Sequence, residues 1–332
     1  MNDNEMKNES LEDIQVASES VEQTNENVAN ALVEGVMHEQ NIQTISRRQT
    51  VLKILSQIGI YAFLSVMALI VVFPFYWMLI SSVKSIEEYE LMTPTLWPQE
   101  FHFETYAKAF NAGNLGRLFL NTAYVGIVST FLSLIITVLS AFAFARLDFK
   151  GKDTLFAVLL STMMIPGELF TITNFQMVND IGWTDFDTYG FTVLIVPFLV
   201  SIFYIYLLKQ NFMQIPNELY LAAKIDGTTD LKYLWKVMIP LALPTLISIT
   251  ILKMMGAWNS YMWPKLVTND EAYKLITNGL RDFNFGQDGN PTQVDYPMQM
   301  AAVTMVSVPL FLVFVFLRKY IMKGVSRSGI KG

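Results

Sequence analysis

The chain has 332 residues, 52% of them hydrophobic, and a formal net charge of −6. It contains no cysteine and only two histidines, His38 and His102, both outside the apolar runs. This composition argues against disulfides, thiol chemistry and a histidine-based metal or acid–base site. There is no G-x-x-x-x-G-K-[ST] phosphate loop, so we expect a chain that holds no cofactor or metal and is not itself an enzyme.

The first 46 residues differ in composition from the rest. They carry ten acidic residues and one lysine, and they lack Phe, Tyr and Trp. Such a segment cannot bury enough apolar surface to offset the entropy of ordering, so residues 1–46 are predicted to be a disordered acidic tail. The tail has no basic start followed by an apolar core, so it is not a signal peptide. Residues 47–332 form the predicted second domain.

Six apolar runs in residues 47–332 are long enough to cross a membrane, which takes about 20 helical residues. We expect each to be helical, because unpaired backbone groups are costly in lipid. The fold class is therefore all-α integral membrane. The runs lie near Ile54–Ile80, Leu118–Ala145, Leu155–Met177, Tyr189–Leu208, Val237–Trp263 and Met298–Ile321.

Charge in the connections predicts the orientation. Basic residues are concentrated before the first run, in the second and fourth connections, and after the last run, whereas acids exceed bases in the other three connections. Basic residues stay on the cytoplasmic side, so both termini and the 209–236 connection are predicted to be cytoplasmic. The long connection near residues 264–297 would then lie outside.

A short helix is predicted near residues 217–227, in the fourth connection. Asn217 is expected to cap its start, Glu218 suits the positive end of the helix dipole, and Gly227 can adopt the left-handed conformation that ends a helix. About nine residues are too few for a stable isolated helix, so we expect it to dock on a partner. The plain alternative is an ordinary helix in a connecting loop.

Several sequence blocks carry a family resemblance. Leu221-Ala-Ala-Lys-Ile-Asp-Gly227, followed after nine residues by Val237-Met-Ile-Pro240, resembles the EAA loop of ABC-importer permeases. Further blocks resemble the maltose-type second permease of the carbohydrate branch, and the resemblance covers about residues 54–332. These blocks are Asn121, Ala141-Phe-Ala-Phe-Ala-Arg146, Ile165-Pro-Gly167, Trp258-Asn259 with Trp263-Pro264, and Gly329-Ile-Lys-Gly332.

The resemblance implies a type I permease fold with six transmembrane helices, in which the EAA helix is a coupling helix that docks in a cleft of an ATPase subunit. The family's usual glutamate is replaced by Leu221 in this chain, and Glu218, one turn earlier, is a candidate to serve instead. The implied ATPase-coupling residues are Glu218, Leu221, Ala222, Ala223, Asp226 and Gly227.

Glu168 and Lys253 are charged residues well inside the apolar runs and are candidates for the substrate path. Lys253 shares a helix face with Gly256 and Ala257, which favour close helix packing. It either contacts the solute, for instance an acidic sugar, or is a structural cation that reaches the surface or pairs with Glu168. Glu168 follows Pro166-Gly167, a pair that can break a helix, and this site is either a gate or a structural kink.

Polar and aromatic residues near the outer ends of the third and fifth runs are further candidates for the substrate path. The aromatic side chains form either an interfacial belt or a stacking surface for a sugar ring. The amides would need hydrogen-bond partners if buried. The resemblance implies that a companion permease makes most sugar contacts. These candidates are Trp258, Tyr261, Trp263, Asn259, Asn174 and Gln176.

The connection near residues 264–297 is rich in Asn, Asp, Gly and Gln. By composition it is a flexible loop, but the resemblance implies that it reaches into a solute-binding protein. The residues implied in that contact are Gly286, Gln287, Asp288, Gly289 and Asn290.

The predicted function is a cell-membrane permease subunit of a binding-protein-dependent ABC importer for a sugar or oligosaccharide, working by alternating access. The implied partners are an ATPase pair that binds ATP and magnesium, a second permease that is different or identical, an extracytoplasmic solute-binding protein and lipid, with no nucleic acid. One alternative is an ABC permease for a non-sugar solute. Another is an ion-coupled secondary transporter, which normally shows internal repeats and several intramembrane ionisable residues. An intramembrane enzyme would need a nucleophile–base pair or metal set that the sequence lacks.

Overall fold

A computed structural model describes residues 53–287 and 290–326, so the predicted acidic tail and the Gly329–Gly332 block lie outside the described residues. The described residues are almost entirely helical, with one two-stranded hairpin. The chain divides into two units, and the boundary falls between Phe75 and Tyr76. The described part of the first unit is a single stretch of helix with exposed apolar side chains. The remaining elements belong to the second unit.

Within residues 53–287 and 290–326, three helices are long and apolar enough to cross a membrane as single segments. Their apolar character matches the first, second and last predicted runs, with ends that extend a few residues beyond the prediction. They are α1 (Lys53–Ser81), α4 (Leu115–Arg146) and α16 (Tyr296–Ser326, with its apolar part in Tyr296–Arg318).

The third, fourth and fifth runs are bent pairs of helices; the break predicted at Pro166-Gly167 is present in the third run, and the bends in the fourth and fifth runs were not predicted. Pro166, Pro197 and Pro244 lie at or beside the three breaks. Proline lacks the N–H of the helix ladder and restricts the residue before it, which explains why apolar composition did not give straight helices. Counting each pair as one span gives up to six spans. The pairs are Lys152–Thr162 with Gly167–Asp180 (85°), Thr192–Phe198 with Ile202–Met213 (45°), and Asp230–Leu241 with Leu243–Trp258 (81°).

Within these pairs α5 is Lys152–Thr162, α6 is Thr171–Asp180, α8 is Thr192–Ile195, α9 is Ile202–Met213, α11 is Asp230–Tyr233, α12 is Ile239–Leu241 and α13 is Leu243–Trp258. Short 3₁₀ turns at Gly167–Phe170 and Val196–Phe198 and a π-helical turn at Leu234–Met238 complete them. The connecting helices are α2 (Ile86–Tyr89), α3 (Glu104–Ala112), α7 (Phe186–Tyr189), α10 (Asn217–Ile225), α14 (Met262–Val267), a 3₁₀ turn at Glu271–Tyr273 and α15 (Ile276–Asp282). Strand β1 (Gly286–Gln287) pairs antiparallel with β2 (Asn290–Val294).

Helix α4 is the centre of the second unit and packs against α9, α13 and α15. Its 32 residues span about 48 Å at the rise of an α-helix. Its buried face is rich in small hydroxyl side chains, which let neighbouring helices approach closely. Gly126 marks one close approach, because a Cβ there would lie 3.0 Å from the sulfur of Met254 on α13. The buried hydroxyl residues are Thr122, Ser129, Thr130, Ser133 and Thr137.

Candidate coupling helix, cavity and binding-protein contact

The candidate coupling helix α10 ends as predicted but begins differently. Pro216 occupies the N-cap and no side chain caps the first turn, so the expected cap by Asn217 is wrong; Asn217 is already the first helical residue. At the other end Gly227 has a φ of +70°. The N–H groups of Gly227 and Thr228 donate to the carbonyls of Lys224 and Ala223, at 3.0 and 2.9 Å. This pair of bonds is a Schellman motif, which needs the left-handed residue that glycine supplies.

The two faces of α10 have different surroundings. Glu218, Leu221 and Ala222 are exposed, together with Asp226 and Gly227 just beyond the helix. Leu221 keeps 53% of its surface accessible. These predicted coupling residues therefore form one accessible surface.

Ala223 is the exception among the predicted coupling residues. It is half-buried and packs with Tyr220 against the apolar cluster of α4 and α9. Its side chain faces the protein and not the accessible surface. Ala223 therefore helps to attach α10 to the rest of the chain.

Ile225 was missed by the sequence analysis, although it is the most exposed apolar residue of α10, at 86%. It follows Leu221 by four residues and Ala222 by three, so all three share one helix face. That spacing is present in the sequence, but the resemblance to the EAA loop implies only the residues around Ile225.

Three polar side chains fasten α10 to α11. The hydroxyl of Tyr220 donates to Asp230 at 2.8 Å, and Lys224 forms an ion pair with the same carboxylate at 2.7 Å. The hydrogen bond to Asp230 raises the pKa of Lys224 above its ordinary value. Burial is the main cause that raises the pKa of Tyr220, and the hydrogen bond to Asp230 raises it further. The rings of Tyr220 and Tyr233 lie 5.1 Å apart. Helix α10 is thus held at its middle as well as at its ends.

Arg146, the last residue of α4, connects this region to the centre of the unit. Its guanidinium donates to the carbonyls of Phe212 and Ile215, at 2.9 and 2.6 Å. Those carbonyls lie at the end of α9, immediately before α10. The end of α4 and the start of α10 are therefore linked by charge-assisted hydrogen bonds.

A cavity of about 410 Å³ lies where α4, α13 and the break before α9 come together. Lys253, Gly256 and Ala257 all line it, so the predicted shared face exists. Gly256 does not serve close packing as expected, because no atom lies within 4 Å of a Cβ built there. It opens the wall of the cavity. The other lining residues are Val125, Ser129, Leu194, Phe198, Val200, Ser201, Tyr204, Ser260, Trp263, Pro264 and Leu275.

The ammonium of Lys253 donates to the carbonyl of Phe198 at 2.5 Å, across the break that precedes α9. In the part of the chain that the structure describes, no carboxylate lies within 4.0 Å of this ammonium. The expected alternative, a pair with Glu168, is therefore not formed. Glu168 is exposed in the 3₁₀ turn just after the 85° bend, so the predicted helix break at Pro166-Gly167 is present.

The two tryptophans at the end of the fifth run are core residues and not an interfacial belt. Trp258 is 9% exposed and its ring lies 5.7 Å from that of Phe119. Trp263 is 6% exposed, and its indole donates to the carbonyl of Val193 at 2.9 Å. The belt prediction failed because α13 ends against helices of the same unit.

The remaining substrate-path candidates lie outside the cavity lining. Asn259 is exposed, and its amide donates to the carbonyl of Met255 at 3.0 Å. Tyr261 is half-buried, with the guanidinium of Arg281 4.8 Å from its ring. Asn174 is half-buried and Gln176 exposed, both on α6. The structure does not bring these four to Lys253.

The connection predicted to lie outside is mostly ordered structure, in contrast to the flexible loop that its composition favours. It contains α14, a 3₁₀ turn, α15 and the hairpin. The Asn121 amide near the start of α4 donates to the carbonyls of Ala272 and Lys274, both at 2.9 Å. The N–H of Ile276 donates to the hydroxyl of Thr122 at 2.8 Å. This connection is anchored at the end of α4 opposite to Arg146.

A charged cluster fixes α15 within this connection. Asp282 accepts from Lys265 at 2.6 Å and from Lys274 at 3.2 Å, and Lys274 also pairs with Glu271 at 2.5 Å. Burial would raise the pKa of Asp282, but the hydrogen bonds from the two lysines outweigh it and hold the pKa below its ordinary value. Lys274 is one of the buried charged residues of the unit.

Three of the five predicted binding-protein contacts belong to the described residues, and these three lie on the hairpin. Gly286 and Gln287 form β1 and Asn290 begins β2, while Asp288 and Gly289 lie outside the described residues. The hairpin follows α15 directly, so these residues are presented on the anchored connection.

Comparison with known proteins agrees with this architecture. Residues 42–327 match the family described as binding-protein-dependent transport system inner membrane component. A Bacillus subtilis permease protein of a polygalacturonan/rhamnogalacturonan transport system is 29% identical over 284 residues, covering 82% of this chain and 97% of the relative. A Bacillus subtilis arabinooligosaccharides transport system permease protein is 27% identical over 279 residues, covering 83% and 96%.

Among solved structures, a chain of a bacterial ABC transporter involved in the import of the acidic polysaccharide alginate superposes with a TM-score of 0.72. It is 25% identical, with coverage of 80% of this chain and 96% of that one. A chain from the alginate transporter in complex with an alginate-pentasaccharide-bound periplasmic protein shares the fold, with a TM-score of 0.57 at 15% identity. The protein is a multi-pass component of the cell membrane, and the chain belongs to the family of binding-protein-dependent transport system inner membrane components.

Proposed function

We propose that this chain is the permease subunit through which an ABC importer moves a sugar or oligosaccharide. The observation that carries the proposal is the surface of α10, where exposed Leu221 and Ile225 lie on a helix fastened to both α4 and α11. An exposed apolar patch on a rigidly held helix is suited to docking in a groove of another protein. The sugar class is supported by the names of the similar permeases.

The proposed mechanism uses the two ends of α4. The Arg146 end and α10 face the cytoplasm, as the basic connections indicate, and the anchored connection with the hairpin faces outward. The three long helices and three bent pairs would then form six spans with both termini inside. When a separate ATPase pair closes on ATP and magnesium, it moves α10, and the rigid links through Arg146 and Asp230 transmit that movement to α4 and α9.

The remaining roles follow from this arrangement. Residues 47–332 form the permease domain. A second permease, different from this chain, completes the pathway, and an extracytoplasmic solute-binding protein contacts the hairpin. The proposed coupling surface consists of Glu218, Leu221, Ala222, Ile225, Asp226 and Gly227. Lys253 is the residue of this chain with the best position to meet the solute, because it lines the cavity at a helix break.

The test is co-purification with candidate ATPase subunits, followed by carbohydrate-stimulated ATP hydrolysis. An arginine at Ile225 adds charge and bulk to the docking surface without touching the core. We expect Ile225→Arg to lose the ATPase while the chain stays folded and inserted. Leu231→Arg is the matched control, since Leu231 is also exposed, at 59%, but lies on α11.

The outcomes separate the alternatives. Capture of an ATPase by the wild type and the control, but not by Ile225→Arg, supports the proposal. Equal capture of the ATPase by the wild type, Ile225→Arg and Leu231→Arg would show that α10 is not the docking surface. Uptake that needs an ion gradient and no ATPase would favour a secondary transporter, and stimulation by non-sugar solutes alone would overturn the substrate class.

A further inference from the structure

The cavity around Lys253 has the size of a ligand site and an unusual charge. Its volume of about 410 Å³ lies within the range typical of small-molecule pockets. It lies in the apolar part of the unit, where a lysine is costly unless it faces protein polar groups, water or a charged partner. The described residues supply Lys253 with a carbonyl, that of Phe198, and with no carboxylate within 4.0 Å.

A carbonyl dipole alone leaves most of the positive charge uncompensated. An ammonium has three donors, and the bond to Phe198 uses one of them. The remaining two N–H donors are on the face of α13 that lines the cavity, which Lys253 shares with Gly256 and Ala257. Gly256 has no side chain and open space around it, so this neighbour of Lys253 on α13 leaves room for an occupant.

Other groups around the cavity also favour a negative occupant. Ser201 caps the start of α9 by accepting from the N–H of Tyr204 at 3.4 Å, so its own hydroxyl proton is left to donate elsewhere. The start of this 12-residue helix contributes the positive end of its dipole. Both Ser201 and Tyr204 line the cavity.

Two aromatic residues of the cavity wall are held in position. Trp263 is held by its bond to the Val193 carbonyl, and its ring meets that of Phe198 edge-on at 5.5 Å. The cavity therefore combines a fixed aromatic wall, hydroxyl groups and a cation without a carboxylate. A sugar ring bearing a carboxylate has the complementary chemistry: apolar ring faces, hydroxyls and one negative charge.

We infer that this cavity is a subsite for a uronate unit, and that Lys253 determines preference for acidic over neutral oligosaccharides. The inference rests on the proposed function and narrows its substrate class. A neutral sugar would gain little from a cation that is costly to keep in this place, whereas a carboxylate would compensate it directly. Lys253 binds the solute and does not take part in ATP hydrolysis.

The experiment uses the full chain assembled with its partner subunits and binding protein in lipid nanodiscs. The probes are trigalacturonate and its neutral trimethyl ester, which share rings and linkages, with trimannuronate as a second uronate and maltotriose as an unrelated neutral sugar. Stimulated ATP hydrolysis is measured against probe concentration. Capture of each probe by the binding protein is titrated separately, so differences between variants arise in the permease.

Three variants read the role of the lysine. Lys253→Gln removes the charge but can still donate to the Phe198 carbonyl, and it should raise the half-saturating concentration of a uronate probe about tenfold or more, as expected for loss of a charged hydrogen bond. It should leave neutral probes unchanged. Lys253→Arg keeps the charge and should retain most of the uronate response. Lys108→Gln, at an exposed lysine of α3, should match the wild type.

Other results would overturn the inference in distinct ways. If Lys253→Gln impairs acidic and neutral probes equally, the lysine only holds the Phe198 carbonyl. If the wild type responds to maltotriose or the ester as well as to the uronates, the uronate subsite is refuted while the proposed sugar permease stands. If no carbohydrate stimulates the assembled complex, the proposed function itself fails.

Discussion

Arg146 donates to the carbonyl of Ile215 at 2.6 Å, although 69 positions separate the two residues in the chain. The bond joins the last residue of α4 to the segment that leads into α10. Backbone carbonyls at the end of a helix have no partner within the helix, so a guanidinium is well placed to satisfy them. The relationship explains how a short surface helix can move together with the longest helix of the second unit.

Replacing Arg146 by methionine should weaken this connection. The carbonyls of Phe212 and Ile215 would lose their charged donor, at a cost of about 1–3 kcal/mol. We expect faster hydrogen exchange in α10 and weaker coupling of ATP hydrolysis to carbohydrate, with the spans still inserted. Arg146→Lys keeps the charge but not the planar geometry and should restore the coupling only in part. Unchanged exchange in α10 with methionine would show that the apolar packing suffices.

The end of α10 can be tested at Gly227, whose φ is +70°. Space is not limiting there, because nothing lies within 4 Å of an added Cβ. Gly227→Ala should therefore cost about 1–2 kcal/mol through backbone conformation alone. Gly227→Asn should cost less, since asparagine adopts the left-handed region more readily. Thermal unfolding and ATPase co-purification of both variants provide the measurement; equal behaviour of alanine and asparagine would contradict the backbone explanation.

A close approach between α15 and α4 predicts a second glycine effect. A Cβ at Gly279 would lie 2.5 and 2.7 Å from the two methyl carbons of Leu118, which is itself buried. Gly279→Ala should thus destabilise the anchored connection by about 1–3 kcal/mol. Gly256→Ala is the control, because its Cβ would enter open space. Thermal unfolding in detergent should show a loss for the first variant and none for the second.

The cluster around Asp282 predicts a specific dependence on pH. The two lysines hold the pKa of Asp282 below its ordinary value of 3.8, so the stabilisation is fully present above that pH. It is lost as the pH falls through the lower, folded-state pKa. The protection of the α15 amides, corrected for the intrinsic exchange rate at each pH, should therefore be insensitive to this group between pH 7 and about pH 4. It should fall only in stronger acid.

The same cluster can be tested by mutation. Asp282→Asn removes the partner of Lys265 and leaves the largely buried Lys274 with Glu271 alone. We expect a loss of about 1–3 kcal/mol, together with weaker response to the binding protein if the hairpin depends on α15. Asp270→Asn is the control, since Asp270 caps the adjacent 3₁₀ turn and is not in the ion-pair cluster. A variant at Asp282 as stable as the control would argue against the cluster.

Local features were predictable because they depend on neighbouring residues. Apolar run length identified a membrane protein, and the glycine after α10 predicted the helix end that is observed. The break at Pro166 followed from the missing N–H of proline. The same local rules gave a wrong cap at Asn217, because the chain enters α10 through the extended backbone of Pro216.

The amino-acid sequence by itself determined the membrane class, the family motif and the position of α10, since these depend on composition and on spacing along the chain. Only the tertiary structure decided which side chains meet. It turned Ala223 inward and Ile225 outward, buried Trp258, and set Lys253 against the Phe198 carbonyl beside a cavity. Those outcomes depend on contacts between residues far apart in the chain. Local periodicity carries no information about such contacts, because it reflects only neighbouring residues.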